Sequence, residues 1–231
     1  MKMKDNYVKD VSISSAELEL LHASLNSKSL QLVLKRIFDI VFSAMIIMIT
    51  SPVMLLTALL IKITSKGPVL YSQYRVGLNG HHFKCYKFRS MNYNNSVINS
   101  KHTDVILSES TGIIKKSKND SRITSVGKII RKSSIDELPQ FFNVLKGDMS
   151  VIGPRPLVPS MLTHYPQFYN VRCLIKPGIS GLWQIRDREH NTSAEFMFVH
   201  DTEYLKKFNL LLDLKIIFIT PISVISGKGA Y

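Results

Sequence analysis

Apolar and polar positions change rhythm along the chain, and each rhythm predicts a different element. In SSAELELLHASL, Leu18, Leu21 and Leu25 fall on one helical face. Ser14 or Ser15 is placed to cap that helix, with Glu17 or Glu19 in its first turn. A helical lead-in is therefore expected within residues 1–33. Residues 40–61 then carry no charge at all. A stretch of roughly twenty apolar residues can cross a hydrocarbon core. Ser51-Pro52 stands in its middle, where proline removes a backbone donor and predicts a kink or break. Lys35 and Arg36 precede the run, and Lys62 and Lys66 follow it. Positive charge at both ends places both on the cytoplasmic side. Two geometries remain open: a single pass with a tolerated kink, or a helix that enters, bends at Ser51-Pro52 and leaves on the same face. Asp39 is expected at the interface, paired with Lys35 or Arg36.

After Gly67-Pro68 the rhythm shortens. VLYSQYRVGLNGHHFKCYKFRSM alternates apolar and polar residues around Asn79-Gly80, which predicts a β-hairpin. Residues 92–119 are rich in Asn, Ser and Lys without periodicity, and read as a long loop or insertion. Leu138, Phe141, Phe142 and Leu145 mark a helix with one buried face that stops at Gly147. In GPRP, residues 153–156, two prolines fix the backbone around Arg155, a turn suited to presenting one guanidinium to phosphate or carboxylate. KPGISGLWQIR reads as a turn and an extended apolar piece. EYLKKFNLLLDLKIIFITPISVI is amphipathic to apolar but interrupted by Asp213 and Lys215, so it packs on the domain or lies in a membrane interface.

Charge narrows the class of partner. The 231 residues include 30 Lys+Arg against 17 Asp+Glu, a net charge of +13, and the mean hydropathy is still slightly positive at +0.07. Such an excess suits an anionic partner. Nucleic acid would account for the charge but not for the uncharged apolar run, so a membrane surface or phosphorylated substrates fit better. Cys85 and Cys173 form neither a disulfide framework nor a metal-binding spacing. No signal peptide opens the sequence.

Asp136 and Glu137 are the candidate chemistry. Ser134 and Glu137 form an S-x-x-E capping box that starts a helix near Ser134; alternatively Leu138 is the cap and Pro139 the first helical residue. Either way the pair sits at a helix N-terminus, where the dipole and the nearby Lys128, Arg131 and Lys132 favour ionised carboxylates. Such a carboxylate can be a nucleophile or a metal ligand, or simply a cap with surface ion pairs.

The combination is more specific than any part. KFRSM, then DELPQ..NVLKGDMS..GPRP, then KPGI.GLWQ, following an apolar run with Ser51-Pro52, closely resembles the bacterial sugar transferase family, the monotopic phosphoglycosyl transferases, from about residue 35 to 219. The resemblance implies an α+β protein in its minimal form. It would have a re-entrant helix-break-helix anchor over 34–66, and a compact cytoplasmic domain over 67–231 of helices, short β-hairpin elements and interfacial amphipathic helices. It implies transfer of a sugar-1-phosphate from a UDP-sugar to undecaprenyl phosphate, with UMP released through a covalent aspartyl intermediate and Mg²⁺ required. This would start a membrane glycan at the cytoplasmic face of the bacterial inner membrane, with downstream glycosyltransferases as possible partners and no nucleic acid. By motif, Asp136 would be the nucleophile and Glu137 its partner, both at the metal. Lys87, Arg89, Arg131, Arg155, Gln184 and Arg188 would bind phosphates or substrate. The segment departs from the family pattern at Asp187, where glycine is expected before Arg188. A reading from another class also accommodates the basic patches and the anchor: a membrane-bound, anion-binding scaffold without chemistry.

Overall fold

The computed structural model describes residues 13–92, 120–164, 166–186 and 194–225. Most of the expected loop over 92–119, and both Asp187 and Arg188, lie outside them.

Helix α1 (Ser15–Ser27) starts where the capping pattern placed it, with the Ser14 hydroxyl accepting from the Glu17 N–H at 3.2 Å. Leu21 and Leu25 enter the main core. Helix α2 (Ser29–Thr64) contains the whole apolar run, and by length and composition it could cross a membrane. The expected break at Ser51-Pro52 does not interrupt it. Pro52 cannot donate to the carbonyl of Met48, and the Ser51 hydroxyl donates to that carbonyl at 2.9 Å instead. The hydroxyl replaces the donor that proline removes, and the helix runs on.

Both ends of α2 are docked on the same domain. Near its start, buried Lys35 donates to Asp213 at 2.6 Å and to the Ile152 carbonyl at 2.9 Å. Arg36 donates to the Val144 and Leu145 carbonyls, at 2.6 and 2.9 Å. Asp39 is not an interfacial partner of Lys35 or Arg36. It is buried and accepts from the Val151 N–H at 2.9 Å. Near the far end, Ile61 packs with Phe88 and Ile130 in a second small core. The outer face of α2 remains bare: Met48, Ile49, Leu55 and Leu56 are all exposed.

The predicted hairpin forms from β1 (Leu70–Val76) and β2 (His82–Phe88), antiparallel, with Leu70 opposite Phe88 and Val76 opposite His82. Its turn passes through Asn79 and Gly80, both with positive φ, as an Asn-Gly turn allows. Helix α3 (Ser125–Lys132) follows the undescribed loop, and a 3₁₀ turn (Ile135–Glu137) leads into α4 (Gln140–Lys146). Gly147, at φ 92°, ends α4 as expected.

Strand β3 (Ser150–Ile152) pairs in parallel with β4 (Gly178–Ser180). Between them lie the GPRP turn, α5 (Pro159–His164) and α6 (Pro166–Arg172). Helix α7 (Leu182–Arg186) follows β4, and α8 (Ala194–Lys206) and α9 (Leu210–Ile225) complete the described elements. The main core gathers Met149, Ile152, Phe168, Val171, Leu205 and Phe208. Ile216 carries α9 into that core, whereas Leu211, Phe218 and Ile222 point outward and are exposed.

Candidate active site

Asp136 and Glu137 lie on the 3₁₀ turn between α3 and α4. Ser134, directly before it, takes the left-handed conformation at φ 57° and makes no side-chain cap. The capping-box reading fails for a definite reason: the Glu137 side chain is used elsewhere. Pro139, not Ser134 or Leu138, is the N-cap of α4. The carboxylate pair therefore precedes the helix by a turn instead of occupying its first positions.

Glu137 Oε1 accepts from Lys87 Nζ and from an Arg155 Nη, both at 2.6 Å. Three elements meet at this one oxygen. Lys87 comes from β2, Glu137 from the 3₁₀ turn and Arg155 from the GPRP turn. Asn143 holds β2 in register with α4: its side chain is fully buried, accepts from the Tyr86 N–H at 3.0 Å and donates to the Lys84 carbonyl at 2.7 Å. This side chain takes the part of a third strand beside β2 and so fixes where Lys87 emerges.

The two carboxylates sit in different electrostatic surroundings. Burial pushes Glu137 up, but the charges of Arg155 and Lys87, and their hydrogen bonds, more than reverse this and hold it well below the usual carboxylate range. Burial also raises Asp136; Lys87, Arg131 and Arg155 pull against that rise, while the Glu137 charge adds to it. No side-chain hydrogen bond or ion pair reaches the Asp136 carboxylate among the described residues. One carboxylate is thus clamped by two cations, and its neighbour is open.

The remaining expected site residues divide. Arg131, in the last turn of α3, contributes its charge to Asp136. Arg89 is buried and donates to the Ser65 carbonyl and hydroxyl at 2.9 and 2.7 Å, so its guanidinium secures the end of α2. Gln184 is buried in α7, with its amide nitrogen donating to the Ile179 carbonyl at 3.3 Å. Arg188 lies outside the described residues. Ser51 and Pro52 belong to the apolar helix, remote in sequence from the dyad.

Arg75 joins the site without having been singled out. It donates to the Pro156 carbonyl at 3.1 Å, and its charge is felt at Cys85, where Arg155 and Glu137 also act. Hairpin register carried the signal: Tyr71 faces Lys87 and Arg75 faces Phe83, so period-2 alternation puts residue 75 on the Lys87 side.

Two motifs distant in sequence lie backbone to backbone beside the dyad. The Gly153 N–H donates to the Ser180 carbonyl and the Gly178 N–H to the Pro154 carbonyl, each at 2.9 Å. A Cβ on Gly178 would come within 2.1 Å of the Gly153 nitrogen, so no side chain fits. This contact is why GPRP and KPGISG act as one unit.

The family model for bacterial sugar transferases matches residues 30–227. The chain belongs to the bacterial sugar transferase family. Its curated relatives in that family include the UDP-glucose:undecaprenyl-phosphate glucose-1-phosphate transferase of Klebsiella pneumoniae, 41% identical over 87% of this chain and 42% of the relative. The undecaprenyl-phosphate galactose phosphotransferase of Salmonella typhimurium is 43% identical over 97% of this chain and 48% of its own length. The exopolysaccharide production protein ExoY of Rhizobium meliloti is 37% identical and matches over 85% of this chain and 88% of its own length. The chain spans less than half the length of the first two of these relatives, and most of the third. KFRSM, the dyad, GPRP and KPGISG all lie within the matched residues.

No group of three or more His, Cys, Asp or Glu side chains capable of holding an ion occurs among the described residues. Mg²⁺ is commonly held by one or two carboxylates, with substrate phosphates and water completing its octahedron. Asp136 and the second oxygen of Glu137 are the carboxylate oxygens the site could offer such an ion.

Proposed function

We propose that this chain is a phosphoglycosyl transferase that moves a sugar-1-phosphate from a UDP-sugar to undecaprenyl phosphate, the first step in assembling a membrane glycan. The observation that carries the reading is the asymmetry of the dyad. One oxygen of Glu137 is held by Lys87 and Arg155, whereas no side chain among the described residues pairs with Asp136 beside it, and the charges of Lys87, Arg131 and Arg155 act on it. A carboxylate attacking a diphosphate must approach negative oxygens, and preorganised cations offset that repulsion.

In this reading an Asp136 oxygen attacks the sugar-bearing phosphorus. The phosphoanhydride bond breaks, UMP leaves with the bond's electron pair, and the sugar-phosphate stays on Asp136 as an acyl phosphate. A phosphate oxygen of undecaprenyl phosphate then attacks the same phosphorus and displaces the carboxylate unchanged. Splitting the transfer lets a soluble donor and a lipid acceptor use one site in turn. Lys87, Arg131 and Arg155 bind and neutralise phosphate oxygens. Glu137 fixes the side chains of Lys87 and Arg155 where those oxygens arrive. Bound Mg²⁺, held by Asp136 and Glu137, would supply further charge neutralisation.

The membrane supplies the acceptor. Helix α2 offers an exposed apolar surface between two docked ends, which supports a re-entrant anchor that returns to the cytoplasmic face of the inner membrane. Exposed Leu211, Phe218 and Ile222 of α9 add apolar surface for the interface.

Intact-mass measurement after incubation with UDP-sugars, Mg²⁺ and no lipid acceptor tests the chemistry. The expected result is a protein species heavier by one sugar-phosphate, localised to Asp136 and absent from Asp136→Asn. An adduct that persists in Asp136→Asn would remove Asp136 as the nucleophile.

A further inference from the structure

Arg155 can meet Glu137 only if the GPRP turn holds its position, and the composition of that turn makes this difficult. Pro154 and Pro156 have no N–H, so residues 153–157 cannot be held by an ordinary strand ladder. Its carbonyls must find donors from outside. The Pro154 carbonyl takes the Gly178 N–H at 2.9 Å, and the Leu157 carbonyl takes the Val76 N–H at 3.1 Å. Among the described residues, the two carbonyls between them have no backbone donor. Each is met by an arginine instead: the Arg155 carbonyl by an Arg172 Nη at 2.9 Å, and the Pro156 carbonyl by an Arg75 Nη at 3.1 Å.

These arginines come from different elements and are themselves restrained. Arg172, the last residue of α6, is buried; it pairs with buried Asp201 of α8 and lies over the Phe168 ring at 5.3 Å. Arg75, on β1, also donates to the Gln73 side chain at 2.8 Å. A guanidinium suits both places because its planar fork can hold a carbonyl and a second acceptor at once.

We propose that Arg75 and Arg172 are positioning residues that grip successive carbonyls of the GPRP turn and thereby aim the Arg155 guanidinium at Glu137 and at the incoming phosphate. Arg172 links the turn to the packing of α6 against α8, and Arg75 links it to the hairpin that bears Lys87. Neither needs to touch substrate. The role of Arg155 in turnover rests on the proposed function; the grip on the turn does not.

The test uses the full chain in lipid nanodiscs and has two arms. Hydrogen–deuterium exchange of a peptide covering residues 153–158 reads the grip directly. Exchange there should quicken by about tenfold in Arg75→Gln and in Arg172→Gln, while the α4 peptide stays at its wild-type rate. Unchanged exchange in both variants would overturn the proposal. Should Arg172→Gln fail to fold, Arg75→Gln carries the test alone, because Arg75 is only half-buried.

The second arm is a double-mutant cycle on UMP release, since residues acting through one another are not additive. A small displacement of a catalytic group costs up to about a hundredfold. Arg75→Gln should lower kcat by about ten- to a hundredfold in the wild-type background. It should cost nothing further in the Arg155→Ala background, and Arg75→Lys should recover part of the loss. Equal losses in both backgrounds would overturn a role through Arg155. A wild-type protein that turns over no donor would count against the proposed function, while the exchange arm would still decide the clamp.

Discussion

Lys87 and Arg89 stand two positions apart in KFRSM, and strand alternation would send both side chains the same way. They separate because β2 ends at Phe88. Beyond it the backbone follows its own path, and Arg89 turns inward to Ser65 while Lys87 reaches Glu137. The two substitutions should therefore fail differently. Lys87→Ala removes one of two cations on Glu137 and should reduce turnover by about 10²–10³-fold, as losing one preorganised charge-stabilising donor does, with a melting temperature close to wild type. Arg89→Ala strands the Ser65 carbonyl and should cost about 1–3 kcal/mol in thermal unfolding. Matching thermal losses would contradict the separation. Asp136, Glu137, Lys87 and Arg155 were legible as residue types in a motif, and the structure brings the last three onto one oxygen. Arg75 was missed because a lone arginine in an alternating strand looks like a solvated side chain until the hairpin register is known.

Helix α2 shows how elements dock through polar groups in a surface that is otherwise apolar. Lys35 and Asp213 are both buried, and Tyr204 donates a second hydrogen bond to Asp213 at 2.8 Å. Removing one partner leaves an uncompensated buried charge, so Asp213→Ala should destabilise the protein by about 3–5 kcal/mol. The Lys35→Met/Asp213→Leu pair, which leaves neither charge, should cost less than Asp213→Ala alone. A double substitution that is the more damaging of the two would contradict this account. Element existence was largely readable: α1 from its cap, α2 from its uncharged run, the hairpin from alternation around Asn79-Gly80. Partners across elements were not. Pairing rules within one helix suggested Lys35 or Arg36 for Asp39, yet its acceptor oxygen serves Val151, more than a hundred positions away. The dyad's 3₁₀ turn was misread as a helix start for the same reason. Ser134 and Glu137 have the spacing of a capping box, but Lys87 and Arg155 recruit the Glu137 side chain, because two cationic donors hold a carboxylate more strongly than one neutral backbone N–H.

Across the whole molecule, the proposed function assigns the dyad and basic cluster to a soluble donor and the apolar helix to a membrane-held acceptor. The proposed re-entrant path makes Pro52 the bending element of α2. Pro52→Ala restores an N–H to the Met48 carbonyl and should favour a straight span over the proposed re-entrant path. A cysteine introduced at Ser27, probed by an impermeant thiol reagent on oriented vesicles, should be labelled only from the face of the domain in the wild type. In Pro52→Ala part of the population should become reactive from the other face; labelling that stays on one side would count against proline as the bending element. UMP release measures the proposed transfer most directly. Full-length chain in lipid would be incubated with undecaprenyl phosphate, Mg²⁺ and a panel of UDP-sugars. The expected result is multiple-turnover UMP release with at least one donor, lost when Mg²⁺ or the lipid acceptor is withheld and lost in Asp136→Asn. Folded protein that binds a UDP-sugar from the panel but releases no UMP would contradict the account and leave an anion-binding scaffold.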